Sequence, residues 1–158
     1  MATEDRILTS LGGVVKTEEL VLVAAGLAAG VYTASIDVPA GSIIVDIIVN
    51  GVALWNNGTS ATLKVGDATD DDGYYTAVDL KATDLLAGES ISFSEAGGKA
   101  GAYIANSQVS PRYSASDRVV SAIITTVGSV PTTGSPRVSG VWIQSTAAPI
   151  KFATYVAT

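Results

Sequence analysis

Apolar and polar residues alternate one by one along much of this chain. A period of two is the signature of strands, because successive side chains of an extended backbone point to opposite faces. In residues 31–38, Tyr32, Ala34, Ile36 and Val38 are apolar while Thr33, Ser35 and Asp37 are polar. Pro39-Ala40-Gly41 then turns the chain. Residues 42–50 place Ile43, Val45, Ile47 and Val49 on one face and Ile44, Asp46, Ile48 and Asn50 on the other, which predicts a central strand. Asn56-Asn57-Gly58 reads as a hairpin turn, since Asn and Gly tolerate positive φ, and Ala61, Leu63 and Val65 alternate with Thr62 and Lys64 beyond it. Asp70-Asp71-Asp72-Gly73 predicts a further turn leading into a strand over residues 74–80.

Residues 79–87 allow a short helical turn before Gly88, after which Ile91 and Phe93 alternate with serines. Residues 96–118, rich in Gly, Ala and Ser, read as a long excursion with one short strand near Tyr103. Residues 118–127, 137–144 and 150–156 return to β-branched segments separated by Pro- and Gly-bearing stretches. About nine short strands with regular turns and no long helical pattern predict an all-β fold, an antiparallel β-sandwich with the jelly roll as the form that fits the count. No internal repeat argues for a solenoid.

The first eighteen residues differ from the rest. Their short apolar pairs, Ile7-Leu8 and Val14-Val15, are split by Gly12-Gly13 and sustain no period. The stretch reads either as a loose terminus with a first edge strand or as an extended arm that docks on a neighbouring subunit. The expected organisation is an N-terminal arm over 1–18 and a β-sandwich domain over 19–158.

The chain contains neither cysteine nor histidine. That removes disulfides, thiolate nucleophiles, Cys/His zinc sites, the Ser-His-Asp triad and the commonest general base at neutral pH. Charged residues make up only 15%, against about 25% in an ordinary soluble protein, so part of the uncharged surface is expected to be covered by a partner. The net charge of −6 divides into −8 over residues 1–79 and +2 over residues 80–158. An acidic chain without a basic stripe is a poor nucleic-acid binder, because such binding depends on Lys and Arg neutralising phosphates. The longest apolar stretch, residues 20–31, has twelve residues against the roughly 20 that a membrane-spanning helix needs. With no basic amino-terminal signal region, the expectation is a protein made in the cytoplasm without nucleic-acid or membrane partners.

Candidate sites are few. Asp67, Asp70, Asp71, Asp72 and Gly73 suggest a calcium loop, but placing Gly73 at the sixth position puts Ala68 at the first, where a carboxylate is required, so a solvated turn is the expectation. Asp46, Asp79 and Glu89 lie in or beside predicted strands, and nothing sets them as a catalytic pair. Trp55, Trp142 and Tyr74-Tyr75 could form an aromatic platform for a sugar, although their strand context favours packing. Asn57-Gly58-Thr59 matches a glycosylation sequon by accident. Arg112, Tyr113 and Arg118 form a residue mix enriched at protein interfaces. No catalytic, cofactor-binding or metal-binding residue is assigned and no enzyme is expected. The expected partner contacts are Arg6, Ile7, Leu8, Val14 and Val15 in the arm, with Arg112 and Tyr113 in the excursion.

Residues 38–80, VPAGSIIVDIIVNGVALWNNGTSATLKVGDATDDDGYYTAVDL, resemble a segment of tailed-bacteriophage capsid decoration, or cement, proteins. The likeness lies in a β-branched strand with an embedded acid (Ile44-Val45-Asp46-Ile47), a Trp followed by Gly-Thr-Ser (Trp55, Gly58, Thr59, Ser60), Leu63-Lys64-Val65-Gly66-Asp67, and Asp72-Gly73-Tyr74. The closing Phe152-Ala153-Thr154-Tyr155-Val156 is similar in style. The resemblance implies a homotrimeric structural protein on the outer surface of the virion that clamps neighbouring major capsid protein subunits, with no active site. The alternative from a different class is a phage fibre-type or carbohydrate-binding recognition module, which requires Trp55 or Tyr74-Tyr75 to be exposed.

Overall fold

The computed structural model describes residues 13–24, 30–81, 83–105 and 112–145. These contain nine strands: β1 (Gly13–Val21), β2 (Val31–Val38), β3 (Ser42–Ala53), β4 (Ser60–Gly66), β5 (Tyr75–Asp79), β6 (Ser90–Ile91), β7 (Tyr113–Ser114), β8 (Arg118–Val127) and β9 (Ser135–Ser145). They form two sheets, β1-β9-β3-β6 with β7 also on β3, and β2-β8-β4-β5. Every pairing is antiparallel. The fold is an all-β sandwich of two antiparallel sheets.

The pairings are nested. Strand β4 pairs with β5, β3 with β6, β2 with β8 and β1 with β9. A chain folded back on itself about the β4–β5 turn and then rolled up produces this order, which explains why most partners are distant in sequence. Asp70-Asp71-Asp72-Gly73 makes that central turn, as its composition predicts.

Alternation decides what faces the core. Tyr32, Ala34, Ile36 and Val38 turn inward from β2, and Ala61, Leu63 and Val65 from β4 are fully buried. Strand β3 departs from the simple pattern. A β-bulge between Ile44 and Asp46 shifts its register against β9, so Ile44 is buried together with Ile47 and Val49 while Ile43 and Val45 are exposed. The extra residue exchanges the two faces part-way along the strand, and an unbroken β-branched run carries no mark of it.

Four local expectations are corrected. Asn56-Asn57-Gly58 is not a hairpin turn; it carries the chain from β3 in one sheet to β4 in the other. The Asn57 amide donates to the carbonyls of Ser60 and Val127, the latter at 2.9 Å. The segment near Tyr103 is a short helix, α1 (Ala102–Ala105), preceded by a 3-10 turn at Gly97–Lys99, because Tyr103 N donates to Gly73 O instead of entering a ladder. No helix forms among the described residues of 79–87, where Asp84 accepts the Asp79 N–H at 2.7 Å. Strand β6 ends at Ile91, since the Phe93 N–H turns to the Asp46 carboxylate.

Residues 13–18 of the expected arm lie in β1, paired with β9. Residues 1–12 and the expected strand at 150–156 lie outside the described residues. Among the described residues no helix is long and apolar enough to cross a membrane.

Candidate assembly surface

One end of the β1-β9-β3 sheet carries apolar residues on both faces. Facing inward, Trp142 of β9 and Ile44 of β3 are direct cross-strand partners and both are buried. One residue along, the register aligns Val15 of β1 with Ile143 of β9, Ile143 with Ile43 of β3, and Ile43 with Tyr113 of β7. Directly paired residues share a face, so these four side chains form a row across the full width of the sheet. All four face solvent, at 62%, 41%, 39% and 48% exposure respectively. Val45, the extra residue of the bulge, is exposed beside them.

The far end of the same face mixes polar and apolar side chains. Val21, Arg137, Asn50 and Ser90 lie in register there, and Arg137 forms an ion pair with Glu19 at 3.2 Å. The outer face of the other sheet is rich in hydroxyls. Ser35 and Ser121 have their Oγ atoms 3.2 Å apart, with Thr33 and Thr125 on neighbouring pairs and Lys64 bound to Asp71. The four-residue row joins exposed apolar side chains in direct register, and Val21, Val23 and Val52 are further exposed apolar residues toward the far end of the sheet.

The row ends at Tyr113, beside a groove of about 610 Å³ lined by Asp67, Tyr103, Tyr113, Asp117 and Arg118 among others. A second groove of about 450 Å³, walled by Asp37, Pro39 and Asp117, adjoins it through Asp117, Arg118 and Val119. The Asp67 carboxylate is committed to structure. Its Oδ1 accepts the N–H groups of Thr69 and Asp70 at 2.9 and 3.2 Å and the Tyr103 hydroxyl at 3.0 Å. Burial, reinforced by that hydrogen bond, pushes the Tyr103 hydroxyl well above its ordinary range. The carboxylates of Asp70, Asp71 and Asp72 come within 4.8 Å of one another. A hydrogen bond with Asp70 raises the Asp72 carboxyl, and the charges of Asp70 and Asp71 act the same way.

The residues expected to contact a partner separate accordingly. Val15 and Tyr113 stand at opposite ends of the apolar row. Val14 belongs to β1, and Arg6, Ile7 and Leu8 lie outside the described residues. The Arg112 guanidinium lies over the Phe93 ring, 5.9 Å from its centroid, and its carbonyl accepts a hydrogen bond from Arg118. Arg112 therefore braces the excursion against the body of the domain. Ile43 and Ile143 escape a reading by alternation; the available signal is that the strands around Ile43-Ile44 and Trp142-Ile143 are apolar on both faces.

The other candidates are structural. Trp55 and Trp142 are buried, and Trp55 stacks on Tyr32 at 5.8 Å. Tyr74 and Tyr75 are wholly buried, and burial pushes the Tyr74 hydroxyl up to about 12. None of these rings can serve as a sugar platform. Asp46 accepts the Phe93 N–H at 2.9 Å and Glu89 the Leu86 N–H at 2.9 Å. Asn57 is fully buried, so the sequon is closed to modification.

Sequence comparison is silent: no protein-family model and no curated protein matches the chain. Structure comparison is not. A chain of the cyanophage Pam1 capsid asymmetric unit superposes with a TM-score of 0.59 at 20% identity, over 84% of this chain and 86% of that one. The fold is shared with a phage capsid chain. A chain from the acid-stable capsid of the Helicobacter pylori bacteriophage KHP30 also matches, at 12% identity and a TM-score of 0.49, over 83% of this chain and 95% of that one. At 20% identity the likeness is one of backbone architecture.

Proposed function

We propose that this chain is a structural protein of a phage virion. It binds the outer surface of the capsid as a homotrimer and cements neighbouring major capsid protein subunits. The observation that carries the reading is the row Val15-Ile143-Ile43-Tyr113, a solvent-facing apolar band four strands wide on a rigid sheet. Bands of this kind mark surfaces that are covered in an assembly. The shared fold with a chain of a phage capsid asymmetric unit supports the choice of assembly.

The nested strand order supports a jelly-roll reading of the sandwich, in which a long hairpin wraps into two four-stranded sheets. A cement has to resist deformation, and such wrapping ties the first and last described strands, β1 and β9, into one sheet. A standard interface covers about 800 Å² per partner, and a trimer repeats each contact three times, so modest individual contacts add to a firm hold. The acidic surface suits a protein that touches other protein chains and leaves the nucleic acid alone. Co-sedimentation of the purified protein with empty capsid shells tests the reading: it should pellet with assembled shells and stay in the supernatant with unassembled capsid subunits. The recognition-module alternative is disfavoured by the burial of Trp55, Tyr74 and Tyr75.

A further inference from the structure

Two Asn-Gly pairs stand close together in the chain, Asn50-Gly51 and Asn57-Gly58. Asparagine before glycine is the pair most open to self-modification, because a residue without a Cβ lets its backbone nitrogen approach the preceding side chain. The glycine nitrogen attacks the asparagine Cγ, and the new C–N bond closes a succinimide ring. The Cγ–Nδ2 bond breaks, and Nδ2 leaves as ammonia after taking up, by way of solvent, the proton that the glycine nitrogen loses. Water then opens the ring at either carbonyl to give aspartate or isoaspartate. An amide has become a carboxylate with no oxidation or reduction.

The fold restrains the two pairs differently. The first is held by the extended backbone of β3 and by the Gly51 N–H, which donates to Glu89 O at 2.9 Å. The second is held on every side. Asn57 is fully buried, and its amide donates to the carbonyls of Ser60, where β4 begins, and Val127, where β8 ends. Its own carbonyl accepts Lys81 Nζ, and Thr59 N donates to Val127 O at 3.0 Å. Gly58 sits against Ser129, whose N would lie 3.2 Å from a Cβ. Unless this crossing between the sheets opens, the Asn57 Cγ cannot swing over the Gly58 nitrogen and water cannot reach it. The products differ too. Asn50 is half-buried on the outer face with Arg137 as its cross-strand partner, so a carboxylate there meets solvent and a guanidinium. A carboxylate at 57 accepts hydrogen bonds and donates none. It would set negative charge against the carbonyl oxygens of Ser60 and Val127, in a buried place where a donor is required.

We infer that Asn57-Gly58 is a self-modification site that the folded crossing keeps silent, that reacts once the crossing opens, and whose acidic product bars the chain from refolding. Isoaspartate compounds the misfit, since it adds a methylene to the main chain where it passes from β3 to β4. The device works in one direction. A copy that stays folded keeps its amide, whereas a copy that stays open loses it and leaves the pool that can refold. Persistence of the protein is then set by how often the crossing opens. The inference concerns the chain's own chemistry and does not depend on what the assembled protein binds.

The test is peptide-mapping mass spectrometry of the full chain, aged at mildly alkaline pH with and without urea, which reads both pairs in one sample. In urea both should convert. In the native protein, conversion at 57 should be at least about a hundred-fold slower than in urea. When the urea is removed, the refolded fraction should still carry the acid at 50 and should be stripped of the acid at 57. Asn50→Asp should melt near the parent, and Asn57→Asp should be unfolded or melt lower by about 10 °C or more. Gly58→Ala crowds the attacking nitrogen and should slow conversion at 57 in urea without changing that at 50, a readout that needs no folded variant. Native protein that converts at 57 as fast as the chain in urea would overturn the inference. So would Asn57→Asp melting with the parent, a refolded fraction equally rich in acid at both positions, or a Gly58→Ala chain that converts at 57 as fast as the parent in urea.

Discussion

The Tyr75 hydroxyl donates a hydrogen bond to the Ile47 carbonyl at 2.5 Å, joining β5 of one sheet to β3 of the other. Its position explains its value. Strand β3 is paired by β7 at Ser42 and Ile43 and by β6 at Val49 and Asn50, which leaves a gap in the ladder on that side. The Tyr75 hydroxyl fills the gap at Ile47, and the Asp46 carboxylate closes it by accepting the Phe93 N–H. Tyr75→Phe is expected to retain the fold and lose about 1–3 kcal/mol, because a buried carbonyl loses its donor while the ring still packs. Urea unfolding followed by circular dichroism checks this, with a lower midpoint and an unchanged slope.

Much of this architecture is legible in the residues. Strands β2 and β4 fall where alternation places them, because each buries one face more deeply than the other, and β8 falls on its β-branched run. Strand β3 is harder: apolar on both sides, it hides both the bulge at Val45 and the exposure of Ile43. Asn56-Asn57-Gly58 misleads because the same residue types suit a hairpin and a crossing between sheets, and only the distant partner Val127 distinguishes them. The apolar row joins residues 15, 43, 113 and 143, and no local pattern brings those four positions together.

Asp84 gives the stability an acid limb. Burial pushes its carboxyl up, but the hydrogen bond from Lys99 and the backbone N–H of Asp79 outweigh that and hold it below the ordinary value of 3.8. A depressed acid contributes stability that is complete above the unfolded-state value and is lost as pH falls through the folded-state one. Thermal unfolding should therefore show the melting temperature dropping below about pH 4, and Asp84→Asn should lower it at pH 7 and flatten the drop.

Gly134 is held by both backbone and packing. Its φ is +145°, and a Cβ there would come within 2.5 Å of the Trp55 ring. Gly134→Ala should destabilise by about 1–3 kcal/mol, because Trp55 is wedged against Tyr32 and cannot withdraw. Differential scanning calorimetry would record the loss.

Both tryptophans are buried, so their fluorescence reports on the core. Emission should be blue-shifted in the native protein and move red on unfolding. Titration with soluble glycans should leave it unchanged, and a saturable change in intensity would revive the recognition-module reading.

The most direct test of the assembly account is Ile143→Asp, at the centre of the apolar row, assayed by co-sedimentation with empty capsid shells. Ile143 faces solvent, so the variant should fold and melt within about 1 kcal/mol of the parent. The account predicts that the parent pellets with shells and the variant stays in the supernatant. Equal pelleting of both proteins, or a parent that ignores shells, would contradict it.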